Sequence, residues 1–209
     1  MSTGYLALIL HAHLPFVRHP EHDEFLEEDW LFEAITESYI PLLGMMERLV
    51  RDDVTFKLTM TVTPTLGAML QDQLLLERYV RYLDRSIALA KRETIRNQEH
   101  EKLGGLAEFY HRHFLESRDR FFQWNGDLLG AVRRLRDDGV LEIMASAATH
   151  GLLPLLEQSP EAVRAQVLIG CDSYRATFQA DPVGFWLPEC AYHPGPAAAS
   201  WPLAADKFR

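Results

Sequence analysis

The chain has 209 residues, 47% hydrophobic and 24% charged, which is the composition of a globular protein with enough apolar material for one sizeable core. Its formal net charge of -9 argues against a phosphate-binding surface, so nucleic acid is not an expected partner and a neutral ligand such as a glycan fits better. Two cysteines, Cys171 and Cys190, give neither a disulfide framework nor a thiolate zinc site, and a reducing cytoplasmic setting is the default.

In chain order, the apolar run Tyr5 to Leu10 is too short for a signal sequence or a membrane span. Its lack of alternation predicts a parallel strand covered on both faces, leading directly into His11-Ala12-His13. Trp30 to Val50 has apolar positions at spacings of three and four and predicts a helix, with Glu28 and Asp29 placed to meet its N-terminal dipole. A second strand is expected over Thr55–Val62, ending at Thr63-Pro64-Thr65.

A charged, proline-free stretch of about 69–122 reads as an inserted helical arm, broken at Gly104-Gly105 because adjacent glycines are costly in a helix interior. Asn125 is expected to cap a helix over 127–136. A third strand follows at Leu141–Ser146, running into Thr149-His150-Gly151. Ser159-Pro160 opens a helix to about Phe178, and a fourth strand at Gly184–Leu187 runs into Pro188-Glu189. Strands separated by helices call for parallel crossovers. The polar candidates sit at the carboxyl ends of the strands, where parallel α/β folds place their sites.

His11 and His13 occupy alternate positions, so in extended geometry they point the same way, about 7 Å apart. Such a pair can bond sugar hydroxyls, or ligate a metal with His150 as third ligand. Trp186, Glu189 and Tyr192 form a carboxylate between aromatics, a setting in which a sugar ring stacks on an indole while the carboxylate reaches the anomeric carbon. Taken alone, the same segment reads as a strand end with a surface Glu and two core aromatics. No phosphate-binding glycine loop and no Gly-x-Ser-x-Gly elbow is present, so nucleotide binding and serine hydrolysis lack local support.

The segments Gly4–Phe16, Glu28–Leu42, Glu142–Gly151 and Trp186–Tyr192, in this order, resemble glycoside hydrolase family 57. They are most similar to its bacterial 1,4-α-glucan branching enzymes. The resemblance covers the chain to about Pro194 and implies an α/β fold, an incomplete (β/α)7 barrel with parallel strands, over 1–194. Residues 195–209 form a divergent tail that does not match the expected βα continuation.

The resemblance further implies a retaining mechanism on α-1,4-glucan, transferring chains to α-1,6 linkage in glycogen biosynthesis. Glu189 corresponds to the nucleophile. His11, His13, Trp30, His150 and Trp186 correspond to substrate-binding residues, with no metal and no cofactor. The family's acid/base Asp lies in a later motif with no counterpart here, so the chain is expected to be the truncated N-terminal part of such an enzyme. Whether it acts by itself is left open, as are α-amylase, 4-α-glucanotransferase or a non-catalytic glucan-binding remnant. Four strands cannot close a barrel, so exposed edges are expected to favour self-association.

Overall fold

In a computed structural model, residues 4–194 are described; the tail over 195–209 lies outside the described residues. Four parallel strands, β1 (Ile9–Ala12), β2 (Leu58–Val62), β3 (Leu141–Ser146) and β4 (Phe185–Trp186), form one sheet in the order β1-β2-β3-β4. Each new strand joins the same growing edge, as in an incomplete (β/α) barrel and unlike a doubly wound sheet, in which the strand order reverses.

Between β1 and β2 one continuous helix runs from α1 (Glu28–Ala34) through a π-turn (Ile35–Tyr39) into α2 (Ile40–Arg51). The Thr36 hydroxyl donates back to Phe32 O (2.8 Å) at the wide turn and meets Tyr79 OH at 3.0 Å. After β2 come α3 (Pro64–Met69), α4 (Gln73–Arg96), α5 (Glu101–Gln123) and α6 (Leu128–Asp137). Then α7 (Pro160–Phe178) links β3 to β4. No described helix is long and apolar enough to cross a membrane.

The sheet is covered on one face. Ala12, Met60, Val62, Leu141, Ile143 and Ala145 sit in the core with Leu31, Leu43, Leu75, Leu128 and Phe178 from the helices. The alternate positions Ile9, His11, Thr59, Glu142 and Met144 are partly or fully exposed, while Thr61 and Ser146, of the same parity near the carboxyl ends of their strands, are buried. This corrects the expectation of a doubly covered first strand. Pairing starts only at Ile9, and Tyr5, 99% exposed, precedes it, because β1 is an edge strand and among the described residues nothing packs over its run-in.

Two local expectations are corrected by packing. The helical arm is the pair α4 and α5, and its break falls at Asn97–His100, not at Gly104-Gly105. The His100 imidazole caps α5 by accepting from Leu103 N (3.3 Å). Gly104 lies inside α5, where a Cβ would come 2.8 Å from Asn97 O, so glycine serves close approach there rather than termination. The cap of α6 is Asp127, which accepts from Gly130 N at 2.7 Å, and Asn125 takes a left-handed turn position instead (φ 54°). The expected third strand and the Ser159-Pro160 helix start are found as read, although Ser159 makes no side-chain cap bond. Gly170 lets α7 lie directly on the end of β3: a Cβ there would stand 2.1 Å from Ser146 O.

Candidate active site

Parallel register brings the polar strand ends together. His11 pairs with Thr61 across β1 and β2, and Thr63 N donates to Ala12 O (3.1 Å), which extends the register beyond the strands. His11 Nδ1 therefore lies 2.5 Å from Thr61 Oγ1, and His13 Nδ1 lies 3.0 Å from Thr63 Oγ1. After β3 the chain turns sharply and His150 adopts a left-handed conformation (φ 57°), laying its ring on His13 with centroids 3.7 Å apart. Trp186, held beside Ser146, whose hydroxyl donates to Trp186 O (3.0 Å), stands 6.2 Å from His11.

Glu189 and Cys190 are consecutive left-handed residues (φ 54° and 53°), a backbone that costs non-glycine residues about 1 kcal/mol or more each. That turn aims the Glu189 carboxylate at His150, with Oε1 3.2 Å from Nε2, while the side chain stays 67% exposed. His13, Phe16, Thr65, Thr149, His150 and Glu189 line a cleft of about 620 Å³. Glu189 is the single carboxylate lining it among the described residues.

The three imidazoles are held neutral. Burial is the main cause for each, and the neighbouring rings add to it: His150 pushes His11 down, and His150 and His11 push His13 down to about 4, against the opposing charge of Glu189. His150 is likewise lowered by burial, with the Glu189 hydrogen bond and charge resisting. The His150–Glu189 contact is thus a neutral imidazole N–H donating to a carboxylate rather than an ion pair. Because an ionised carboxylate only accepts, we assign the His150 proton to Nε2, which leaves Nδ1 a bare lone pair, buried and unpartnered. His11 Nε2 lies 3.4 Å from His150 Nε2, on the opposite side of the cluster from its Nδ1 contact with Thr61 Oγ1.

A His whose folded pKa lies below its unfolded value contributes stability above the unfolded pKa and loses it as pH falls. For His13 the window runs from about 6.5 down to about 4. Urea midpoints measured across that window are expected to fall with pH more steeply for the wild type than for His13→Gln. Parallel profiles would remove the assignment.

The cluster joins His11, His13, His150, Trp186 and Glu189, five of the six residues singled out from sequence. Trp30, on the first turn of α1 and 53% exposed, does not line the cleft. Sequence reasoning passed over Thr61, Thr63, Thr65 and Phe16. Their signal was a threonine at every second position from Thr59 to Thr65, in step with His11 and His13. Among the described residues no group of three or more His, Cys, Asp or Glu is arranged to hold a metal ion.

Residues 7–199 match the family model described as Glycosyl hydrolase family 57. The chain is 39% identical, over 98% of its length, to a 1,4-alpha-glucan branching enzyme of Thermococcus kodakarensis and spans 29% of that protein. Among solved structures it is similar to an alpha-amylase of Thermotoga maritima (TM-score 0.86, 43% identity, 90% of this chain and 36% of that one). It is similar also to the branching enzyme of Pyrococcus horikoshii (TM-score 0.85, 40% identity, 91% and 36%). The chain thus spans about a third of the length of the relatives it matches.

Proposed function

The chain belongs to glycosyl hydrolase family 57, and from that premise we propose that Glu189 is the nucleophile of a retaining α-glucan-active enzyme, a 1,4-α-glucan branching enzyme of cytoplasmic glycogen biosynthesis. The observation that carries this reading is the Glu189 carboxylate held at 3.2 Å by a neutral His150 at a cleft walled by His13 and Phe16. Branching-enzyme relatives favour it over the amylase reading, which the Thermotoga maritima structure supports.

In this proposal an α-1,4-glucan binds with its hydroxyls on His11 and His13 and a ring against Trp186, and Trp30 contacts glucan away from the cleft. The Glu189 carboxylate attacks the anomeric carbon and the α-1,4 bond breaks, forming a glycosyl ester; a glucan 6-hydroxyl then displaces Glu189 and completes the α-1,6 branch. Protonation of the departing oxygen and deprotonation of the 6-hydroxyl need a second carboxyl group about 5 to 5.5 Å from the first. In the proposal that group belongs to the part of the relatives' length that this chain does not span.

Proton NMR of amylose incubated with the protein tests the reading. New α-1,6 anomeric signals are expected from branching. Reducing ends alone mean an amylase. Neither product, with maltoheptaose still bound in calorimetry, means a glucan-binding chain without catalysis.

A further inference from the structure

A directional hydrogen-bond chain runs behind His13. Thr65 Oγ1 donates to Leu14 O at 3.2 Å, so its one hydroxyl proton is committed to a carbonyl that can only accept. Thr63 Oγ1 lies 3.1 Å from Thr65 Oγ1, whose remaining capacity is as an acceptor, so Thr63 donates to Thr65. With its own proton spent in that direction, Thr63 faces His13 Nδ1 at 3.0 Å as an acceptor, and it accepts from Leu66 N at 3.4 Å as well. The polarity of the whole chain is therefore set at a backbone carbonyl of the loop after β1, three hydrogen bonds from the imidazole.

We infer that Thr63 and Thr65 are positioning residues that hold His13 in its Nδ1–H tautomer, so that Nε2 presents a lone pair to a hydroxyl donor in the cleft. A neutral histidine divides its two nitrogens between donor and acceptor, and whichever role Nδ1 takes, Nε2 takes the other. Thr65 lines the cleft itself, whereas Thr63 bears on a ligand there through His13's choice of proton. Because His13 lines the cleft beside His150 and Glu189, the site is tuned for a ligand that donates a hydroxyl hydrogen there. The same ring is kept neutral by burial and by its neighbours, which the tautomer requires. The ligand class rests on the glucan reading above; the tautomer does not.

The test is long-range proton–nitrogen correlation on the ligand-free 209-residue chain labelled with nitrogen-15 histidine, at neutral pH, which reports which ring nitrogen carries the proton. In the wild type the His13 proton is expected on Nδ1. In Thr65→Val, which keeps Thr63 and its bond from Leu66 N, the Thr63 hydroxyl loses its acceptor and can turn toward His13. The Nδ1–H to Nε2–H ratio is then expected to fall about tenfold, with Thr65→Ser restoring it. Maltoheptaose affinity should fall and recover in parallel. A His13 proton on Nε2 in the wild type, or a ratio unchanged in Thr65→Val, overturns the inference. The expected tautomers without any maltoheptaose binding would uphold the relay and remove the glucan reading instead.

Discussion

Glu189→Gln is expected to abolish covalent labelling by an activated α-glucosyl fluoride, a loss on the order of 10⁴-fold or more, the scale seen when a catalytic nucleophile is deleted. The reagent suits this chain. In the labelling step the carboxylate oxygen bonds the anomeric carbon while the carbon–fluorine bond breaks, and fluoride departs without a proton. The labelling step therefore needs no second carboxyl group, and the measurement reads the nucleophile alone. Intact-mass spectrometry would show one added glucosyl unit on the wild type and none on the variant. The amide keeps the size of the side chain and can still meet His150, so the loss reads chemistry rather than folding. Labelling retained in Glu189→Gln, or mapped to another residue, would remove Glu189 from the role.

Arg78→Met is expected to destabilise the protein by about 3–5 kcal/mol, the range for stranding one partner of a buried ion pair. The Arg78 and Glu28 side chains are 6% and 1% exposed, so solvent does not screen them as it does a surface pair. Arg78 Nη1 donates to Glu28 Oε1 (2.5 Å) and to His19 O (3.1 Å), Nη2 donates to His22 O, and His19 N donates to Glu28 Oε1 (3.1 Å). One buried pair thus ties the loop that follows His13 and Phe16 to both α1 and α4. Replacing both partners, Glu28→Leu with Arg78→Met, is expected to recover most of the loss in urea denaturation, because no charge is then left uncompensated. A single-variant cost below about 1 kcal/mol would mean that the loop is held by other contacts, among them Arg18 on Asp72 (2.6 Å).

That pair also shows where local reading fails. Glu28 was read as a residue meeting a helix dipole, which its position at the start of α1 supports, but its partner lies 50 residues away on α4. Gly104 was read as a helix break from propensity alone. Packing against Asn97 O reverses its meaning, since a missing Cβ permits contact as readily as it ends a helix.

What the sequence determined by itself was the alternation of elements, the extent of β3 and α7, and the order of the strand-end motifs that carry His11, His13, His150, Trp186 and Glu189. These are set by short-range periodicity, by proline at a helix start and by residue type, all legible within a few positions. Only the tertiary structure decided which face of the sheet is covered. Only it placed Thr61 and Thr63 behind the two histidines, stacked His150 on His13, and left Trp30 away from the cleft. The reason is physical: a parallel pair is joined by a crossover of some fifty residues here, and its register depends on how the intervening helices pack. No local pattern carries that information.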